Sequence, residues 1–508
     1  MNDERDNGGT VEDYGTNLSR RSLLGIAGLT VAAAVFPSMA ETAQPLGNTG
    51  TDGPGISSPM DKLSTYMSDA AESTLPDHVV EKTKHHILDT IAAMISGSKL
   101  TPGQAALQFA QAYGGKAIAT VVASKIVCGP IEAALANGML AHADETDDSH
   151  PPSQSHPGCA VVPAALAAGE RFEISGTHFL RAVTLGYDVG SRITITLGGQ
   201  KFEAESHWST HSIAPLFGAT AAAGCAASLN VAQMRFLLGY AAHQCSGLGA
   251  WNRDTDHIQK AFHFGGMTAR SGVTSALLVQ AGWTGVDDIF SGKDNFFAAY
   301  NPHANPAGLA EELGARFEVT RTNIKKWPVG SPIQAVLDAL DILRQQRPFE
   351  AHDVVQVTVR LATDESAIVN NREIADICLQ HMVAVMLMDK TVSFSSAHDK
   401  ARMKEPATLQ ERAKVKLVPD EQLERLMPLR VATVDLELRD GTHLTRRVDD
   451  VRGTPKNPMT REEVVAKAHD LIAPICGEAQ CVNLIEKVLN VERVKNICEL
   501  RPLFQLAQ

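Results

Sequence analysis

The chain has 508 residues, of which 44% are hydrophobic, 20% charged and 5% aromatic, with a net charge of −12. That excludes a wholly disordered chain and provides for a sizeable core spread over two or three domains. The acidic balance argues against a dedicated nucleic-acid binder, which needs a basic face to neutralise phosphates, but it leaves room for a small basic pocket.

The N-terminus contains Ser19-Arg20-Arg21-Ser22-Leu23-Leu24, then an uncharged run over residues 23–36, then Ser38-Met39-Ala40. An arginine pair, an apolar run and a small-residue site in that order predict a twin-arginine export signal over residues 1–40. The run has 14 residues, short of the roughly 18 that a spanning helix needs. The expected partner is therefore the twin-arginine export machinery, and the expected location is periplasmic or secreted, with no membrane span. Residues 41–60 are rich in Gly, Pro, Ser and Thr and are predicted to be a linker. Eight cysteines are too few for a disulfide scaffold in a chain of this length. Twin-arginine cargo folds before it crosses, so its thiols are reduced while the core forms. Cys128, Cys225 and Cys245, set among Ala and Val, are expected to be small buried hydrophobes.

Pro76-Asp77 opens a predicted helix with Asp77 as its N-cap. Val80, Ile87, Ile91, Met94 and Ile95 then recur at helical spacing up to Gly97. Ala-rich segments dominate from there to about residue 285, among them 130–142, 161–171 and 218–228. Their small side chains let helices approach closely, and alanine favours helix intrinsically. The pattern changes after residue 322. Val355, Val357, Val359 and Leu361 alternate with polar residues, as do Ala432, Val434, Leu436 and Leu438. Asp440-Gly441 makes a turn and 444–448 returns. Thr460 with Glu463 has capping-box spacing and starts a further helix, with Val464, Ala468 and Leu471 on its apolar face. The fold predicted is mainly α. A large helical domain, discontinuous over residues 61–322 and 454–508, carries a smaller α+β lid over 323–453.

The densest polar cluster is His142-Ala143-Asp144-Glu145-Thr146-Asp147-Asp148-Ser149-His150, running on to His156-Pro157-Gly158. It is predicted to be a loop between two buried helices. Four carboxylates within five residues repel one another, which raises the pKa of some members and suits acid–base work. His142, Asp144, Asp147, Asp148 and His150 also offer ligand types for a divalent metal, though at no zinc or EF-hand spacing. A second cluster, His207-Trp208-Ser209-Thr210-His211, precedes an Ala-rich helix. A third, Lys260-Ala261-Phe262-His263-Phe264-Gly265-Gly266, is followed by Arg270. Cations and free backbone N–H groups at such a place would hold a carboxylate. Nucleotide-binding glycine motifs, the Gly-x-Ser-x-Gly elbow and Cys-x-x-Cys are all absent.

These clusters, in this order, resemble the MmgE/PrpD family of 2-methylcitrate dehydratase and cis-aconitate decarboxylase relatives. The carrying residues are His86-Ile87-Leu88-Asp89-Thr90-Ile91, the 142–158 segment with Pro163-Ala164-Ala165-Leu166, Lys260-x-x-His263-x-Gly265, and Lys326-Trp327-Pro328. The resemblance implies an active site between the helical domain and the lid, and a homodimer. It also implies a small di- or tricarboxylate substrate and no metal or organic cofactor. By position, the family's first loop aspartate falls on Glu145, with Asp144 the adjacent alternative. The paired aspartates fall on Asp147 and Asp148, the threonine on Ser149, the second loop histidine on His156 and the catalytic lysine on Lys260. The histidine before the Ala-rich helix falls on His207 or His211. The lid tyrosine of the decarboxylase branch has no clear counterpart; Ile368 is nearest and His381 lies further along. There is also an extra residue after Gly265.

The expected chemistry is dehydration. Lys260, His263 and Arg270 neutralise carboxylates, with Asp147, Asp148 and His150 also contacting substrate. His156, His207 or His211 takes the proton, and a carboxylic acid of raised pKa among residues 144–148, or a histidinium, serves the leaving hydroxyl. Epimerisation or decarboxylation of a related acid would use nearly the same site. The competing classes are a metal-dependent hydrolase and a carboxylate-binding protein without catalysis.

Overall fold

The computed structural model describes residues 55–506. The twin-arginine segment and most of the expected linker lie outside the described residues. The end of that linker does not: Ser58 to Met60 already belong to helix α1 (Ser58–Asp69), with Met60 and Leu63 fully buried.

Helix α2 (Asp77–Gly97) starts where the apolar spacing places it, but Pro76 rather than Asp77 holds the N-cap position, and no side chain caps it. Asp77 sits one residue inside, where its charge faces the exposed N–H groups of the first turn. The Ala-rich segments form α3 (Pro130–Ala141), α4 (Gly158–Phe172), α5 (Gly176–Leu197), α6 (Thr210–Ala226) and α7 (Met267–Gln280). Their packing is close enough for backbones to touch. A Cβ on Gly218 would lie 2.7 Å from the carbonyl of Gly186, so α5 and α6 meet through glycine.

A second core spans Trp327 to Val451. It is built from α8 (Ser331–Gln346), α9 (Leu379–Asp389) and strands β1 (Val354–Ala362), β2 (Val415–Asp420), β3 (Ala432–Leu438) and β4 (His443–Val448). The sheet order is β2-β1-β3-β4. β1 runs parallel to β2, with Val357 opposite Val415, and antiparallel to β3, with Val359 opposite Val434. β3 alternates buried and half-buried as its sequence requires. β1 does so only from Val357 onward. Its register shifts between Val354 and Gln356, so Val354 is buried and Val355 is 44% exposed, against the expected alternation. A bulge inserts one unpaired residue and moves the neighbouring side chain to the other face.

The chain then returns to the first lobe. Thr460 and Glu463 cap α10 (Arg461–Cys476) reciprocally. Its apolar face, Val464, Ala468 and Leu471, joins the first core beside α2. That core takes in residues 60–324 and again 459–504. All eight cysteines are free, and burial pushes the Cys225 thiol up to about 12. Among the described residues no helix is long and apolar enough to cross a membrane.

Candidate active site

The polar loop runs from His142, which closes α3, to Pro157, which opens α4. Four anchors hold it. Asp148 accepts from the His86 ring at 2.9 Å, the Tyr187 hydroxyl at 2.5 Å and the Gly158 N–H at 3.0 Å. Asp144 accepts from the Thr146 N–H and hydroxyl at 3.0 and 2.5 Å. Lys467 of α10 donates to the Thr146 carbonyl at 2.9 Å and pairs with Asp89 of α2 at 2.6 Å. Lys325, in the hinge between the two cores, donates to the Glu145 carbonyl at 2.6 Å. A charged, buried loop thus has its backbone oxygens met by ammonium groups from distant parts of the chain.

Lys260 reaches the loop because two backbones nearly touch. Residues Phe262–Gly266 form a π-helical turn that starts two residues after Lys260. A Cβ at Gly265 would run into the carbonyl of Gly138 on α3, and the reverse holds at Gly138. Such turns re-aim side chains at functional sites. The Lys260 ammonium bonds the Glu145 carboxylate and lies 5.0 Å from the Trp251 ring centre and 5.2 Å from that of Phe264. Gly265→Ala is expected to push α3 and this turn apart. Thermal denaturation should show a clear drop in midpoint and turnover should fall with it; an unchanged midpoint would remove this account of how Lys260 is placed.

Asp147 lies between two imidazoles, with one oxygen 2.9 Å from His142 Nδ1 and the other 3.2 Å from His156 Nδ1. Lys325 Nζ is 3.8 Å from the same carboxylate and 3.7 Å from Glu145. His142 and His211 each stack on Phe264 with ring centres 4.5 Å apart, and His156 stands 5.4 Å from His211. Burial alone would raise the Glu145 and Asp147 carboxyls. Lys260 and Lys325 nevertheless hold Glu145 well below the usual range, and His142 and His156 do the same for Asp147. Asp144 is also lowered, against burial, by His398 and Thr146. The expected carboxylic acid of raised pKa is therefore not found at these three positions, because the loop carboxylates are interleaved with cations and donors rather than with one another. Burial pushes His142 down, His211 well down, His257 to about 3 and His263 to about 4. Burial thus disfavours the charged form of these imidazoles, and His142 Nδ1 is the nitrogen that faces Asp147.

A cleft of about 320 Å³ opens between the lobes. Its walls include Ser149, His156, His211 and Lys325. Arg321, Arg430 and Arg452 add positive charge, and Pro151, Ile324, Leu429 and Val451 add apolar surface. His156 Nδ1 is sealed from solvent against Asp147, which leaves Nε2 as the nitrogen available to a ligand.

Several expected site residues sit elsewhere. His207 is exposed, at a left-handed position (φ 62°) after a short surface helix, so His211 is the member of that cluster in the site. Asp148 faces inward to α2 and α5, and Asp147 lies beneath His156; both support the loop rather than line the cleft. His150 reaches the cleft wall, but its ring is occupied by Ser153 at 2.8 Å and Glu318 at 3.1 Å. His263 packs against Gly247 and does not line the cleft. Arg270 is half-buried on α7, without an ion pair to the loop. Ser149 exchanges backbone bonds with Asn323 at 3.0 and 2.8 Å, stitching the loop to the hinge. Lys325, His257, His398 and Asp376 belong to the site region and were not among the candidates. Only Lys325 had a signal, since it adjoins Lys326-Trp327-Pro328; Lys326 itself turns away to Asp341.

The residues that could hold a metal are His142, Glu145 and His257, whose ligand atoms lie within 4.8 Å of one another. Nε2 of both histidines is buried and unpartnered. The Lys260 ammonium already sits on the carboxylate, so a divalent ion would have to displace a cation to enter. A second set, His142, Asp147 and Cys159, includes a thiol that burial holds well above its usual range, away from the thiolate a metal needs.

Residues 61–308 match the MmgE/PrpD N-terminal domain, and residues 327–491 match the MmgE/PrpD C-terminal domain. The chain belongs to the MmgE/PrpD family. A cis-aconitate decarboxylase-like protein, oryM of Aspergillus oryzae, is 25% identical over 87% of this chain and 96% of its own length. A cis-aconitate decarboxylase of Aspergillus terreus is 24% identical over 86% and 94%. The human cis-aconitate decarboxylase is 25% identical over 85% and 91%. Membership of MmgE/PrpD makes this a lyase-family chain; the N-terminal match falls within the first core, and the C-terminal match covers the second core and then α10, which returns to the first.

Proposed function

We propose that this protein is a lyase acting on a small hydroxy di- or tricarboxylate, by a dehydration of the 2-methylcitrate type. The observation that carries the reading is the Asp147–His156 pair facing an interlobe cleft lined by Lys325, with Lys260 and Lys325 bracketing Glu145. Substrate carboxylates meet the ammonium groups, and the apolar wall meets the carbon skeleton. His156 Nε2 removes the proton from the carbon next to a carboxylate, while Asp147 at Nδ1 stabilises the imidazolium that forms. The electron pair expels the hydroxyl, which leaves as water. Its proton comes from a lysine ammonium, Lys325 being the one on the cleft wall, because Asp144, Glu145 and Asp147 are held ionised. The proposal needs no metal or organic cofactor.

The relatives favour a second reading, decarboxylation of an unsaturated tricarboxylate. Against it, residues 323–453 contain no tyrosine. Ile368 is 48% exposed and His381 is buried in the second core, so neither replaces the tyrosine of the decarboxylase branch. The test is product analysis after incubation with 2-methylcitrate, citrate, isocitrate and cis-aconitate, before and after dialysis against a chelator. An unsaturated acid from a hydroxy acid, unaffected by chelation, is expected. Carbon dioxide from cis-aconitate would move the assignment to decarboxylation. No product from any acid would leave a binding protein. Activity lost to the chelator and restored by a divalent ion would overturn the cofactor-free reading.

The reading extends to a homodimer, checked by native mass, and to export through the twin-arginine leader. Arg20→Lys with Arg21→Lys should retain the protein inside the cell; an unchanged distribution would remove the export reading.

A further inference from the structure

The two lobes also meet at a place that shares no lining residue with the cleft. A cavity of about 80 Å³ there is lined by Asp144, Asp256, His257, Asp376, His398 and Lys400, among others. His398 comes from the second lobe, at the end of the short helix Phe394–Ala397. That helix docks on the first lobe: the Phe394 side chain packs on the first core, and the Phe394 N–H donates to Asp470 of α10 at 2.9 Å. The His398 ring lies on Phe394 with centres 4.4 Å apart. Its Nδ1–H donates to the Phe394 carbonyl at 2.8 Å, while Nε2 lies 3.0 Å from an Asp144 oxygen and 4.0 Å from Asp376.

Both ring nitrogens therefore face oxygen. A neutral imidazole with its proton on Nδ1 would turn a lone pair toward a carboxylate, whereas an imidazolium keeps the Nδ1 bond and sets its positive charge 3.0 Å from Asp144 as an ion pair. Asp144 in turn holds the Thr146 N–H and hydroxyl, and so shapes the turn that carries Glu145 between Lys260 and Lys325.

We propose that His398 is a positioning residue: its imidazolium latches the second lobe to Asp144 and, through that turn, sets Glu145 and the two lysines for the substrate. The charged and titratable groups facing it are Asp144 from the loop, Asp376 from the turn Ala375–Ile377, and Asp256 and His257 before Lys260; Asp399 and Lys400 adjoin it in its own segment. Burial opposes the charge on His398, but Asp144 and Asp376 outweigh it and raise the group to about 9. Burial pushes Asp376 up to about 6, so it is ionised between there and the pH at which His398 loses its proton. The folded value lies above the ordinary one, so the latch contributes fully below about pH 6.5 and is lost as pH rises through about 9.

The kinetic part rests on the proposed function; the stability part does not. Thermal midpoints of wild type, His398→Gln, Asp144→Asn and the double variant should be measured from about pH 6 to pH 10. The single variants should fall below wild type at neutral pH, the gap should close by about pH 10, and the double variant should lose no more than the singles. With substrate, kcat should drop by about ten- to a hundredfold in each single variant, with a smaller change in KM. A gap that is constant with pH, or additive losses in the double variant, would overturn the latch. Hydrogen exchange of wild type covers the case in which a variant does not fold. Segments 142–148 and 394–398 should lose protection together between about pH 7 and pH 9.5 after correction for intrinsic rates; unchanged protection overturns the proposal. A wild type that turns over no substrate yet shows the pH-dependent gap would count against the enzymatic reading alone.

Discussion

His156→Gln lowers kcat by about 10²- to 10⁴-fold, the range for removing a general base, and leaves the helical circular-dichroism signal intact. The fold survives because Asp147 keeps His142 at 2.9 Å and Lys325 at 3.8 Å, so no buried carboxylate is left alone. Loss of a structural histidine from the same loop would instead lower stability and activity together. His207→Ala is the matched control: that residue is exposed and outside the cleft, and its turnover stays at the wild-type value. Full activity in His156→Gln would show that the proton is taken by another group, with His211 the next imidazole on the cleft wall, since the His150 ring is occupied by Ser153 and Glu318.

Lys260→Met has two effects that can be separated. It removes a cation from the site, and kcat/KM falls by about ten- to a hundredfold, in keeping with the 1.5–3 kcal/mol of a charge-assisted bond. It also leaves Glu145 with fewer partners. Breaking a buried ion pair outright costs about 3–5 kcal/mol; the loss here is smaller, because Lys325 stays 3.7 Å from the same carboxylate. The thermal midpoint of Lys260→Met therefore drops, and adding Glu145→Gln restores much of it without restoring turnover. If the double variant recovered turnover as well, Lys260 would be serving the stability of the loop and not the substrate.

The helical architecture was readable because it is written in repetition: Ala-rich segments, apolar residues at helical spacing, and alternation in the strands. The one strand residue misplaced, Val355, lies next to a bulge, and a single extra residue leaves no mark in composition. Within the loop, residue types announced a polar site, but not which way each side chain turns. Asp147 and Asp148 are adjacent and identical, yet one serves His156 and the other serves His86 and Tyr187. Their partners lie on other helices, so only the packing decides. The same holds for Lys325 and Lys326, of which one enters the site and its neighbour pairs with Asp341. His257 and His398 each adjoin charged residues, Asp256 and Asp399, but nothing in that local pattern ties them to the 142–150 loop, and they gain meaning only where the lobes converge. The expectation of a raised carboxyl failed at Asp144, Glu145 and Asp147 for a related reason. Crowding along the chain was taken as crowding in space, whereas lysines and histidines separate the carboxylates.

The contact between Lys467 and the carbonyl of Thr146 joins residues 321 positions apart. During synthesis the loop therefore emerges long before the ammonium group that braces it. A nascent chain can assemble much of its helical core early, but the loop waits for α10 to leave the ribosome and dock against α2. Truncation just ahead of α10 removes that brace together with the apolar face packed beside α2, so the loop should lose its geometry even where earlier helices persist.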